Sequence, residues 1–184
     1  GYWKYDPVFR AVKTDLLYPF GENQNKWRER MDLLENYCLA YGIQGSKWTS
    51  QERWIYRHYR GLEFQKRQTD EELKIEQEIN ESRLVVSAPM KRLSNRLDRA
   101  KTVKEMLEAL YLYFEELEIS SKLEAMALKD EQRGDLVSAR EHEQAWDGVI
   151  HLMDQLAELL GNEKMEKKEF ADIIGAGLES LRFS

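Results

Sequence analysis

The residues of this chain that can do chemistry are three histidines, one cysteine and many carboxylates. His142 stands in the run Arg140-Glu141-His142-Glu143, and His151 lies three residues before Asp154. A helix that holds a metal presents ligands at i and i+3 or i+4, because adjacent residues point about 100° apart. Glu141 and Glu143 therefore cannot join His142 on one ion, and His142 has no acid or histidine at either forward offset. His151 and Asp154 share a face, but Gln155 fills the next place and leaves two lone ligands. A charged, solvated helix face accounts for both groups. Cys38 sits in the apolar stretch from Leu33 to Tyr41, with no basic neighbour in sequence to favour a thiolate, and reads as a small buried hydrophobe. A single cysteine also excludes an internal disulfide and any multi-cysteine metal site within the chain. Gly175-Ala176-Gly177 lacks the lysine and preceding strand of a phosphate cradle and fits close helix packing instead. Ser–His–Asp and Cys–His constellations are assembled by the fold, and no nucleophile-elbow signature marks one. No catalytic, cofactor-binding or metal-ligating residue is assigned.

Positive charge offers more. From Lys47 to Arg67 the chain carries six Lys/Arg against two acids. Arg53, Arg57, Arg60, Lys66 and Arg67 interleave there with Trp48, Trp54, Tyr56, Tyr59 and Phe64. A second basic run holds Lys91, Arg92, Arg96, Arg99, Lys101 and Lys104 with one acid, Asp98. Arg92, Arg96 and Arg99 are spaced to share a helix face, which suits tracking phosphates. Arg53, Arg57, Arg60, Lys66, Arg67, Lys91, Arg92, Arg96 and Arg99 are the candidate DNA contacts. The competing account makes the aromatics core and pairs the arginines with nearby glutamates.

The elements that position these residues are helical. Three prolines and ten glycines in 184 residues are too few for a multi-stranded sheet and favour long helices. The periodicity predicts a short helix over 7–17 and a second over 26–41, stopped by Gly42, with Trp27, Met31, Leu34, Cys38 and Tyr41 inward. A short helix over 50–59 is expected, although part of 43–68 also fits an irregular aromatic loop. Thr69-Asp70-Glu71-Glu72 is a capping box opening a helix that extends to Arg99, kinked or broken at Pro89. Thr102-Val103-Lys104-Glu105 is another, starting a helix with Val103, Met106, Leu107, Leu110, Phe114 and Leu117 on one face. Helices over 121–132, 135–160 and 166–181 follow. In the second of these, Trp146, Val149, Ile150, Met153, Leu156, Ala157 and Leu160 form a wide stripe for packing.

The fold class expected is all-α, an irregular single helical domain of about seven to eight helices over 1–184, with possible lobes at 1–100 and 101–184. No run of 18 apolar residues is present, and no signal-peptide layout, so no membrane role is expected and the cytoplasm is the simplest compartment. The net charge of −6 divides into +5 over residues 1–104 (20 basic, 15 acidic) and −11 over 105–184 (8 basic, 19 acidic). Such asymmetry hints at different partners for the two halves. A net-acidic protein still holds a polyanion locally, because fields fade over about 8 Å at physiological salt. The chain opens on Gly1 without Met and closes on Leu181-Arg182-Phe183-Ser184, which fits a piece of a longer protein.

One run, Pro7-Val8-Phe9-Arg10-Ala11-Val12-Lys13-Thr14-Asp15-Leu16, resembles the B subunits of the AddAB family of ATP-dependent helicase/deoxyribonucleases of Gram-positive bacteria. Further matches follow in order: Leu34-Glu35-Asn36-Tyr37, Ala40-Tyr41-Gly42-Ile43, Trp48-Thr49, Ala88-Pro89 and Lys101-Thr102-Val103. Glu115-Glu116-Leu117, Glu141-His142-Glu143-Gln144 with Trp146, and Gly177-Leu178-Glu179-Ser180-Leu181-Arg182-Phe183 complete the series. The resemblance is strongest at the two ends and weakest around 65–85 and 121–133. It implies an internal stretch of a much longer subunit, in the 2B-like helical insertion of a UvrD-type helicase half. It further implies a parent complex that resects double-stranded DNA ends for recombination and responds to Chi sequences, with the AddA subunit and other domains of the same subunit as neighbours. The parent family's ATP/Mg site and 4Fe-4S cluster lie in other parts of it, and their motifs are absent here. The implied role is therefore non-catalytic: positioning duplex DNA, or bracing motor domains and partner subunit. A helical protein–protein scaffold without nucleic-acid contact is the alternative.

Overall fold

The computed structural model describes residues 23–58 and 67–181. Among these the elements are helical, in the order α1 (Gln24–Tyr41), a 3-10 turn (Gly45–Trp48), α2 (Asp70–Arg99), α3 (Val103–Glu116), α4 (Ile119–Gln132), α5 (Leu136–Leu160) and α6 (Lys167–Ser180). The all-α expectation is thus met, with six α-helices among the described residues. The helix expected over 7–17 lies outside them. No helix among the described residues is long and apolar enough to cross a membrane.

The chain divides into two compact units, Gly1–Ala88 and Pro89–Ser184, with the division at the proline inside α2. In the first unit, Asn23 opens α1 by accepting the Asn25 N–H at 2.8 Å, and Gly42, at φ 62°, closes it. The left-handed turn lets the Ile43 N–H reach the Cys38 carbonyl at 3.0 Å, satisfying a helix-end acceptor. Trp27, Met31, Leu34, Tyr37 and Cys38 are buried, whereas Tyr41, expected inward, is 43% exposed. The stripe turns at Tyr37 instead, because α1 meets residues 54–57 along its Tyr37–Tyr41 edge. The capping box that opens α2 is complete: Thr69 Oγ1 accepts the Glu72 N–H at 3.1 Å, and Glu72 accepts the Thr69 N–H at 2.9 Å. The helix then runs unbroken through Pro89.

The second unit has its own core of Leu97, Val103, Met106, Leu107, Leu110, Met153, Phe170 and Ile174. Thr102 caps α3 through the Glu105 N–H, and the loop after α5 supplies two more acceptors to that helix start. The Val103 N–H donates to the Glu163 carbonyl at 2.9 Å and the Lys104 N–H to the Gly161 carbonyl at 3.0 Å. These groups have no partner within their own helix, so the loop ties α3 to the end of α5. Both α3 and α4 pack on α5. Of the α5 stripe, Met153 is buried, while Trp146, Val149, Ile150, Leu156, Ala157 and Leu160 are half-buried. The crossing of α5 and α6 is built from two reciprocal pairs. A Cβ on Gly177 would stand 2.7 Å from Leu152 Cδ2, and one on Gly148 would stand 3.3 Å from Leu181 Cδ2. Close packing therefore explains Gly177. It does not explain Gly175, which has open space beside it.

Candidate nucleic-acid interface

The aromatic, basic segment is held by a ladder of side chains. Asn80 Oδ1 accepts the Trp54 N–H at 3.1 Å, and Asn80 Nδ2 donates to the Trp54 carbonyl at 2.9 Å. One helical turn earlier, Glu76 accepts the Tyr56 N–H at 2.9 Å; another turn earlier, Glu72 accepts the His58 N–H at 2.7 Å. Two residues of extended chain advance about 6.6 Å and four residues of helix about 6.0 Å, so the turns of α2 keep step with alternate residues of the segment. The residues between face α1. Tyr37 Oη donates to the Ile55 carbonyl at 2.8 Å, while Tyr41 Oη donates to the Arg57 carbonyl at 3.2 Å and accepts the Arg57 N–H at 3.3 Å. Backbone groups that a helix would satisfy locally are satisfied here by side chains distant in sequence. Of the helix expected over 50–59, the described residues 50–58 form none, and over them the irregular-loop reading holds.

Arg83 fixes the start of the same segment. Its guanidinium is buried and donates to the carbonyls of Lys47 (3.0 Å), Trp48 (3.1 Å), Ser50 (2.5 Å) and Glu52 (2.8 Å). It also lies 4.3 Å from the centroid of the Trp54 ring. Burial pulls the Arg83 pKa below its ordinary value, against the favourable influence of Tyr37 and Cys38. Glu76 shows the opposite balance. Burial pushes its carboxyl up, but bonds from Gln68, Arg53 and the Tyr56 N–H outweigh it and hold the pKa below the ordinary value. The buried track of α2 is thus Glu72, Glu76, Ile79, Arg83 and Val86, spaced like an apolar stripe yet mostly charged. Charged residues at those intervals are the only sequence signal for Arg83, and composition reads them as surface.

The candidate DNA contacts fall into two groups. In the first unit, Arg53 is half exposed and bonds Glu76 Oε2 through Nε at 2.9 Å, while Arg57 and Arg67 are exposed. Arg60 and Lys66 lie outside the described residues. In the second unit Lys91 is exposed, and Arg92 donates through Nε to Glu116 of α3 at 2.6 Å. Arg96 and Arg99 line a shallow recess of about 290 Å³ together with Glu105 and Glu108. Asp98, the acid in that run, pairs with Lys167. The aromatics divide as well: Trp48 and Trp54 are buried, edge to face at 5.2 Å, whereas Tyr41 is exposed.

His142 is half-buried, with Nδ1 2.6 Å from Oδ2 of Asp130, a buried residue that Arg133 also reaches. Among the described residues no three His, Cys, Asp or Glu side chains gather to hold a metal ion. A four-cysteine iron–sulfur cluster does not fit this chain. Its one thiol, Cys38, is buried in α1, and burial pushes its pKa up to about 12.

No family model matches the chain. The B subunits of the ATP-dependent helicase/deoxyribonucleases of Bacillus thuringiensis subsp. konkukian, Bacillus anthracis and Bacillus mycoides are each 49% identical to it. The similarity covers 100% of this chain and 16% of each relative, so the chain spans about a sixth of the length of these curated relatives. Along its whole length, then, the chain is similar to one portion of the B subunits of these bacterial ATP-dependent helicase/deoxyribonucleases.

Proposed function

We propose that the chain is a non-catalytic helical accessory part of AddB, a 2B-like insertion that positions duplex DNA and braces the motor domains and the AddA subunit during processing of double-strand breaks. The observation that carries the reading is the end-to-end similarity to 16% of a helicase/deoxyribonuclease B subunit. Two further features support it. The buried ionisable groups of the first unit, Glu72, Glu76 and Arg83, are engaged with backbone, so their charge is spent on shape. Arg53, Arg57 and Arg67 remain on the surface around that shape.

The test is salt-dependent binding of a blunt duplex to the 184-residue chain. Affinity is expected to fall steeply as salt rises, because each phosphate contact releases counterions. Arg57→Gln with Arg67→Gln is expected to lower affinity several-fold and flatten the salt slope by about 1–2 units. Arg92→Gln is expected to change little, since Glu116 already engages that side chain. Duplex binding absent at low salt overturns the DNA-positioning part.

A second reading, a protein-interaction scaffold, is favoured by Leu128, Leu136 and Val137. They are 56%, 68% and 72% exposed at the junction of α4 and α5, in the acidic half of the chain. It is distinguished by capture of purified AddA that Val137→Glu abolishes, with duplex binding absent.

A further inference from the structure

The rings of the first unit form a column that ends at the surface. Tyr37 is stacked on Trp54 at 5.5 Å with 18° between planes, and on Tyr41 at 4.3 Å with 22° between planes. Exposure rises along the series from 5% at Trp54 and 6% at Tyr37 to 43% at Tyr41. The buried end is anchored by the Arg83 guanidinium over Trp54. The exposed end is fixed as well, because Tyr41 Oη brackets both backbone groups of Arg57. Tyr41 is therefore an exposed ring whose position is set by a rigid support. Two cationic residues adjoin it in the fold. Arg57 follows directly from the bracketed backbone, and Lys47 Nζ lies 3.5 Å from the carbonyl of Gly42, the residue after Tyr41.

A preordered, solvent-facing aromatic ring with flanking cations suits a flat π surface that carries negative charge on its linker. An unpaired nucleobase on a phosphodiester backbone has both properties, whereas the bases of a closed duplex are already stacked on one another. We propose that Tyr41 is a stacking platform for an unpaired base of single-stranded DNA, with Arg57 and Lys47 meeting the adjoining phosphates. The proposal deepens the DNA-positioning reading by naming the strand form that this face takes, and it rests on that reading.

The experiment uses the 184-residue chain with a fluorescent 12-nucleotide oligothymidylate, the same oligomer made abasic, and a blunt duplex. Oligothymidylate is expected to bind more tightly than its abasic counterpart. Tyr41→Ala is expected to weaken oligothymidylate binding about tenfold and to leave the abasic oligomer and the duplex unchanged. Tyr41→Phe, which loses the hydroxyl bracket but keeps the ring, is expected to bind as the wild type does. If Tyr41→Phe and Tyr41→Ala fail alike, the residue acts through the bracket on Arg57 and the stacking proposal is overturned. Equal binding of normal and abasic oligomers, or an unaffected Tyr41→Ala, overturns it too. Duplex binding that persists in that case leaves the DNA-positioning reading standing, whereas loss of all binding removes both.

Discussion

The side chain of Asn80 brackets the backbone of Trp54, accepting its N–H at 3.1 Å and donating to its carbonyl at 2.9 Å. A strand neighbour would offer the same pair of bonds. One amide on a helix does so here, and it sets the register of the rungs made by Glu76 and Glu72.

Asn80→Ala removes both bonds and leaves backbone groups of a buried residue without partners. The expected loss of stability is about 2–3 kcal/mol, since each orphaned buried group costs about 1–3 kcal/mol. Asn80→Asp keeps the acceptor alone and is expected to lose about half as much. Urea unfolding followed by tryptophan emission measures both, and equal stability of Asn80→Ala and wild type would refute the ladder.

Arg83 serves four carbonyls with one planar fork, and lysine cannot reproduce that geometry. Arg83→Lys is therefore expected to lose most of what Arg83→Met loses, about 3 kcal/mol or more. The emission of Trp54 should shift in both variants, because the guanidinium lies 4.3 Å from its ring. Full rescue by lysine would mean that charge alone matters at this position.

Glu76 gives the fold an acid limit. Its folded pKa lies below the ordinary 4.5, so it stabilises the fold fully above 4.5 and loses that contribution as pH falls through the depressed folded value. Urea unfolding between pH 7 and the acid range should show wild-type stability declining below about 4.5. Glu76→Gln should begin lower and decline less, so that the two curves converge in acid. Parallel curves would assign the acid sensitivity to other groups.

The two glycines of α6 should respond oppositely to alanine. Gly175→Ala meets open space within a helix and is expected to raise stability by about 0.5–1 kcal/mol. Gly177→Ala places a methyl 2.7 Å and 2.8 Å from the two Leu152 methyls, which must turn away and loosen the crossing of α5 and α6. A net loss of about 1 kcal/mol is expected, tempered because a leucine end can move. Thermal unfolding of both variants decides it, and a stabilised Gly177→Ala would show that the crossing tolerates extra width.

Most helices were legible in the chain. Thr69 and Thr102 are caps, Gly42 is a stop, and 3.6-residue apolar periods run between such signals. These signals are local, because caps and periods act within one or two turns. The similarity to a helicase/deoxyribonuclease subunit was legible too. The 43–58 stretch was not. Its tryptophans and arginines fit a helix or a loop equally well until Asn80, Glu76, Glu72 and Arg83, some 14–36 residues away, claim its backbone. The same distance hides the charged core track of α2 and the engagement of Arg92 by Glu116. A residue's type announces its local preference, but the partner of a buried charge is chosen only when separate helices pack. Tertiary structure alone therefore decided which arginines hold the fold and which still face solvent.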